Sequence, residues 1–220
     1  MNQEKTLAVL GGTGHEGSGI AFRAALAGWQ VTIGSRDAAK AAAKADELNA
    51  LSGQSTVKGA GLAEAAQAAS IVVLAVPYAA QVSTADQVRP ALEGKVLIDV
   101  TVPLKPPKVS VVQLPPEGSC TVALQKHLGS GVRVVSAFQN VSAHALMAKD
   151  KPVDCDVLVC SDDADAKAAV KELVTQMGLV AIDAGPLANS VVSEALTSVL
   201  IHLNKTYKVP ASGIRISGLG

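Results

Sequence analysis

Gly12-Thr13-Gly14-His15-Glu16-Gly17 sets three glycines in a G-x-G-x-x-G pattern, directly after the apolar run Thr6–Leu10 and at the start of a helical stretch. In that context the spacing reads as a cradle for phosphate. Gly12 permits a tight turn, Gly14 lets the backbone approach a pyrophosphate, and Gly17 lets the helix pack close to the strand. The anion then rests on N–H groups at a helix N-terminus, where the helix dipole favours negative charge. Glu16 puts a carboxylate in that first turn, which suits the dipole, and it is assigned no chemistry. His15 either hydrogen-bonds a phosphate oxygen or faces water.

A second group of side chains follows the next apolar run, residues 30–34. An NAD site places an acid here to accept from the ribose 2′-hydroxyl, whereas this chain has Ser35 and Arg36, with Lys40 one helical turn later. A hydroxyl, a guanidinium and an ammonium suit a 2′-phosphate, which arginine engages with two parallel hydrogen bonds. Lys40 fits a solvated helix face equally well. Asp37 comes one residue too late to be the missing acid and suits a helix N-cap. The pair of motifs predicts a dinucleotide site that prefers NADP.

The elements around these residues alternate. Strands are expected at Thr6–Leu10 and residues 30–34, 56–59, 71–76, 95–100, 133–138, 156–160 and 179–184. Helices are expected at 16–27, 37–50, 62–69, between 76 and 95, at 119–128, at 164–177 and at 186–207, with Pro186 in the first turn of the last. Strands separated by helix-length segments imply right-handed crossovers, hence an α/β, Rossmann-type doubly wound, mostly parallel sheet. Residues 102–118 hold half of the ten prolines and cannot form a helix. They are either a rigid connection or a loop that covers a ligand.

Composition narrows the partners. Lys plus Arg and Asp plus Glu number 19 each, so no basic stripe is available for a nucleic acid. Three cysteines without a C-x-x-C pair, an N-terminus without an apolar core and no membrane-length apolar run predict a soluble cytoplasmic protein. A content of 49% hydrophobic residues exceeds what one core needs, and the apolar helix around residues 191–203 is expected to pack in a homo-oligomer, a dimer or tetramer. The chain lacks Tyr-x-x-x-Lys, and its four histidines (His15, His127, His144 and His202) are scattered, His202 being expected in a core or interface. No catalytic acid–base side chain and no metal site are expected.

The motifs together resemble one family. Leu10-Gly11-Gly12-Thr13-Gly14-x-x-Gly17, Gly34-Ser35-Arg36, Val76-Pro77, Val159-Cys160-x-Asp162-Asp163, Asp183-Ala184-Gly185-Pro186-Leu187 and Gly213-Ile214-Arg215 are similar to NADPH-dependent coenzyme F420 reductases, in order and over essentially the whole chain. The resemblance implies hydride transfer between the nicotinamide C4 of NADP and C5 of the deazaflavin coenzyme F420, with small-molecule cofactors as the only partners. It implies that Thr13 to Glu16 line the pyrophosphate and that Ser35, Arg36 and Lys40 surround the 2′-phosphate. Val76, Pro77, Tyr78 and Val102 would flank the nicotinamide; Gln139, Val141 and Ala143 would lie near the junction of the two rings, and Gly213 in a stretch covering the deazaflavin. Gln139 and Tyr78 stand where family members can carry His and Trp. The implied organisation is an NADP-binding domain over residues 1–149 and a smaller C-terminal α/β unit over 150–220 that closes the deazaflavin cleft. Another acceptor (ferric, flavin or imine) and a non-catalytic NADPH-binding module are the alternatives. Hydride exchange between two bound rings needs near-attack geometry in a dry cleft rather than an acid or base.

Overall fold

The computed structural model describes residues 5–219. Six strands form one parallel sheet: β1 (Thr6–Leu10), β2 (Gln30–Ser35), β3 (Val57–Gly61), β4 (Ile71–Leu74), β5 (Val96–Asp99) and β6 (Arg133–Ser136), in the order β3-β2-β1-β4-β5-β6. This is the doubly wound order, and its switch point lies between β1 and β4. β1 shows how the sequence builds both layers. Leu7 and Val9 enter one apolar core while Ala8 and Leu10 enter the other, because successive side chains of a strand point to opposite faces.

On the Leu7 and Val9 side lie α1 (His15–Leu26), α2 (Ala38–Ser52) and α7 (Ala164–Gln176); on the other lie α3 (Leu62–Gln67), α4 (Gln81–Leu92) and α5 (Cys120–Leu128). Asp37 and Ser119 cap α2 and α5, each side-chain oxygen accepting from a backbone N–H three residues on. Residues 102–118 contain no helix, in keeping with their prolines.

The chain then departs from simple crossovers. Only the one-turn α6 (Ala143–Leu146) separates β6 from β7 (Asp156–Val159), so no helix carries the chain back for a parallel return. β7 instead meets the end of β6 through an antiparallel bridge between Ser136 and Cys160, and pairs in parallel with β8 (Val180–Asp183). Apolar packing continues across residue 149: Val153, Val157, Leu173 and Val174 belong to the same core as Leu7 and Phe22. The last helix, α8 (Ser190–Tyr207), starts later than expected; Pro186 is extended (ψ 161°) and precedes a separate 3-10 turn, Leu187–Asn189. Among the described residues no helix is long and apolar enough to cross a membrane.

Arg23 ties the polar stretch after β6 to α1. Its buried guanidinium donates to the carbonyls of Leu146 (2.7 Å), Ala145 (3.1 Å), Ala148 (2.6 Å) and Lys151 (3.1 Å), all at or beyond the C-terminal end of α6. One planar cation thus serves four carbonyls at a helix end, two of which, Ala145 O and Ala148 O, also accept backbone N–H groups at 3.3 Å. Replacing it leaves them desolvated. Arg23→Met is expected to lower unfolding free energy by about 3 kcal/mol in urea titrations. A change under about 1 kcal/mol would show that the clamp contributes little.

Candidate functional site

The phosphate loop is built by close backbone approach. Gly11, not Gly12, supplies the left-handed turn residue (φ 79°), and a Cβ there would lie 2.3 Å from the Ala75 carbonyl oxygen beyond β4. Gly12 is needed for another reason: a side chain would strike Ile33 at 2.7 Å and the Val9 carbonyl at 2.9 Å. At Gly17 a Cβ would fall 2.7 Å from Gly11 O and 2.8 Å from Gly12 Cα, so α1 abuts the loop with nothing between them. Gly14 faces open space, with its nearest neighbour at 3.4 Å, and as N-cap of α1 it offers no side chain to the first-turn amides. Gly14 and the first-turn residues His15 and Glu16 line the crevice at the sheet's switch point.

Two cavities meet at this loop. The smaller, about 210 Å³, is lined by Gly11, Thr13, Gly14, Ser35, Arg36 and Pro77 among others. Ser35 Oγ accepts from the Asp37 amide at 3.2 Å. Asp37 Oδ1 accepts from the Lys40 amide at 3.1 Å, and the Lys40 ammonium lies 3.7 Å from Asp37 Oδ2. Asp37 therefore acts as the cap expected of it, and Lys40 does not line the cavity. Arg36 is exposed and, among the described residues, makes neither a hydrogen bond nor an ion pair, which leaves its fork available to a ligand.

The larger cavity, about 490 Å³, is a cleft in the size range of small-molecule sites. Val76, Pro77, Tyr78, Val102, Gln139 and Val141 line it together with Gly14, His15 and Glu16. These are most of the residues singled out in the sequence. Leu104, Pro106 and Val109 add a wall from the proline-rich segment, whose position after the C-terminal end of β5 was the available signal. Thr101, Phe138 and Thr197 were missed, because nothing local in the sequence places them here. Ala143 lies outside the cleft on α6, against α1, and Gly213 lines a different cavity, where a Cβ would meet Cys155 at 2.7 Å.

The cleft is apolar except for a few groups that lack partners. Thr101 Oγ1, Gln139 Oε1 and Glu16 Oε1 are each buried without a hydrogen bond. Leaving such an atom unpaired costs roughly 1–3 kcal/mol, so three on one cleft argue for a polar ligand that completes them. The other ends of two of these residues are held. Gln139 Nε2 donates to the Asp99 carbonyl at 2.7 Å, and the Thr101 amide donates to Asp99 Oδ1 at 3.1 Å. Phe138, just before Gln139, is fully buried at φ 74°, a conformation that a bulky residue adopts only under constraint.

Beneath this wall two carboxylates are buried. Asp99 accepts from Thr121 Oγ1 at 3.0 Å and from Gln81, yet burial still pushes its carboxyl up to about 6. Glu194 of α8 accepts from Ser119 Oγ (2.6 Å), the Cys120 amide (2.8 Å) and the Thr121 amide (3.2 Å), bringing its charge to the N-terminus of α5. Cys120 is the nearest thiol. Burial and then the charges of Asp99 and Glu194 raise its pKa far above the usual range, which leaves it without thiolate character. The cleft presents no nucleophile paired with a base.

Known proteins resemble this chain. Residues 6–103 match the family model described as NADP oxidoreductase, coenzyme F420-dependent. The chain is 44% identical to an F420-dependent NADP reductase of Methanothermobacter marburgensis, over 97% of this chain and 98% of that protein. It is 41% identical over the same shares to the enzyme of that name from Methanocaldococcus jannaschii. The chain belongs to the F420-dependent NADP reductase family. A solved structure from Arthrobacter sp. FB24, assigned as a candidate F420-dependent NADP reductase, superimposes with a TM-score of 0.82 at 28% identity, covering 96% of this chain and 98% of that one. Full-length coverage in both directions means that the proline-rich wall and the C-terminal strands belong to the family's fold as well.

Proposed function

We propose that this family member transfers a hydride between NADP(H) and the deazaflavin coenzyme F420 in the 490 Å³ cleft. The observation that carries the reading is the cleft itself: apolar walls and three orphaned polar atoms, joined to a phosphate loop at the sheet's switch point. When bound, the two cofactors supply the nicotinamide C4 and the deazaflavin C5 between which the hydride passes. The chain's residues bind, orient and exclude water. The first-turn amides of α1, with Thr13 and His15, receive the pyrophosphate. Ser35 and Arg36 read the 2′-phosphate, with Lys40 strengthening the local positive potential. Val76, Pro77, Tyr78 and Val102 hold the nicotinamide on one side, while Gln139 and Val141 mark where the second ring meets it. Ala143 and Gly213 act from behind, Ala143 by seating α6 on α1 and Gly213 by letting the tail pack against Cys155.

Division of labour follows the chain. Residues 1–149 carry the nucleotide site. Residues 150–220 close the cleft, and Thr197 of α8 supports the reading: it lines the cleft and donates to the Gln139 carbonyl at 2.7 Å.

A homo-oligomer completes the proposal. On α8 small and polar residues are buried beside Leu200 (Ser190, Ser193, Glu194 and Ser198), while Val192 and Val199 are exposed at 59% and 42%. His202, expected in a core or interface, is exposed in the single chain and shares a 3.3 Å contact with Thr206. Uncovered valines on a long helix favour a second copy over water.

Mixing the protein with NADPH and oxidised coenzyme F420 under anaerobic conditions should bleach the deazaflavin absorbance. Absence of bleaching at every pH that the fold survives would overturn the assignment. Arg36→Ala should weaken NADPH roughly tenfold to a hundredfold while leaving NADH almost unchanged, since one charge-assisted contact to phosphate is lost. Equal losses for both would show that Arg36 does not read the phosphate. Sedimentation at micromolar concentration should give a dimer or larger species, and a strict monomer would remove the role given to α8.

A further inference from the structure

Glu16 is the acidic residue that this mechanism leaves without a task. It sits in the first turn of α1 and lines the cleft, and Oε1 is buried with no hydrogen-bond partner. A helix N-terminus alone would explain an exposed acid, but an exposed acid would keep its water. This one, half-buried, gives up hydration at Oε1 beside a cavity wall made of Val76, Pro77 and Val141. Among the described residues no cation compensates it.

The surroundings can be enumerated by element. On α1 the neighbouring titratable group is His15, exposed at the cleft rim. The turn after β4 brings Tyr78, whose hydroxyl burial holds above its ordinary pKa. The segment after β5 contributes only Val100, Thr101, Val102, Leu104, Pro106 and Val109; Lys105 and Lys108 are exposed and do not line the cleft. The residues after β6 contribute Phe138, Gln139 and Val141, and α8 contributes Thr197. No fixed charge therefore faces Glu16, and the charge most able to act on it is one that arrives with a ligand.

We infer that Glu16 discriminates between the two redox states of the bound nicotinamide, holding a proton beside the neutral reduced ring and releasing it beside the cationic oxidised ring. The inference rests on placing the nicotinamide in this cleft. A carboxylate in a dry, apolar site interacts strongly with a cation a few ångströms away, and with a neutral ring it has only its desolvation cost. The pyrophosphate carries the same charge in both coenzymes, so its repulsion of an ionised Glu16 cancels when the two affinities are compared. Burial pushes the Glu16 carboxyl up to about 8 in the unliganded protein, so the neutral acid is the starting form at neutral pH. The sign follows. NADP+ lowers the pKa of Glu16 and binds with loss of a proton, whereas NADPH leaves the proton in place. Raising the pH favours NADP+ over NADPH.

Dissociation constants of NADP+ and NADPH, measured by calorimetry across the pH range, test this. The ratio Kd(NADPH)/Kd(NADP+) should rise at least about tenfold from pH of about 6 to pH of about 10 in the natural protein. It should stay flat in Glu16→Gln, which keeps the shape and removes the titration. Titrations of NADP+ near neutral pH, in two buffers of different ionisation enthalpy, should show clearly more proton release from the natural protein than from Glu16→Gln, where only the 2′-phosphate still titrates. His15→Asn, measured in parallel, should keep the slope and so exclude the rim imidazole as its source. Should Glu16→Gln melt early, Glu16→Met removes the proton site with an unbranched, helix-compatible side chain and must give the same flat ratio. A flat ratio in the natural protein, or an unchanged slope in the Glu16 variants, would overturn the inference while leaving the cofactor assignment intact. Failure of either nucleotide to bind the natural protein would instead overturn the assignment of the cleft, and this inference with it.

Discussion

The contact on which the rest depends is backbone against backbone: α1 meets the phosphate loop at Gly17, where any Cβ would fall 2.7 Å from the Gly11 carbonyl oxygen. No side chain can sit between them, so the helix N-terminus is held at the edge of β1 and its amides open onto the switch point. Ser18 strengthens the seat by donating to the Gly12 carbonyl at 2.9 Å. β4 is held as closely, since Gly11 also leaves no room beside Ala75. The crevice exists because three backbones converge where a sheet reverses its winding.

Buried charge is handled in two ways, and the contrast separates structure from function. Glu194 is enclosed by two amides and a hydroxyl at the start of α5, and Asp99 by a hydroxyl, an amide and Gln81. These acids are met by donors, and they hold the wall from which Gln139 and Thr101 reach the cleft. Oxygen atoms on Glu16, Gln139 and Thr101 have no such company. Desolvating a polar atom for nothing is costly, and these three share one cleft, whereas the other such atoms among the described residues are scattered elsewhere. The same comparison explains the modest position of Asp99, pushed up to only about 6 by complete burial, against about 8 for Glu16, which has no donor to offset its desolvation.

The C-terminal third is attached to the nucleotide-binding sheet by unlike means that act together. Arg23 gathers four carbonyls, Ser161 Oγ donates to Val134 O at 2.8 Å, and the tail returns so that Asp156 N donates to Ile214 O at 2.8 Å. Arg215 adds ion pairs to Asp154 and Asp156. Apolar packing of Val157 and Leu173 into the core beneath β1 makes this part of one interior. The cleft wall that includes Thr197 is thereby packed against the same interior as β1.

Local periodicity and glycine spacing were enough to read the strand and helix order, the close-packed glycine loop before α1 and the Ser35-Arg36 turn, because each depends on residues within a few positions of one another. Asp37 as a cap is of the same kind. Residues with the same local appearance were separated only by folding. Gly11 took the turn expected of Gly12, and the carbonyl of Ala75, just beyond β4, leaves no room for a side chain there. Pro186 stayed outside the helix that it was expected to open. Thr101, Phe138 and Thr197, far apart in the chain, reached the cleft through the ends of β5 and β6 and through α8. Glu16 had the sequence of an ordinary first-turn acid. Its burial, and with it its chemistry, comes from walls supplied by the turn after β4 and the segments after β5 and β6, and desolvation is a property of what packs around a residue, which no spacing along the chain encodes.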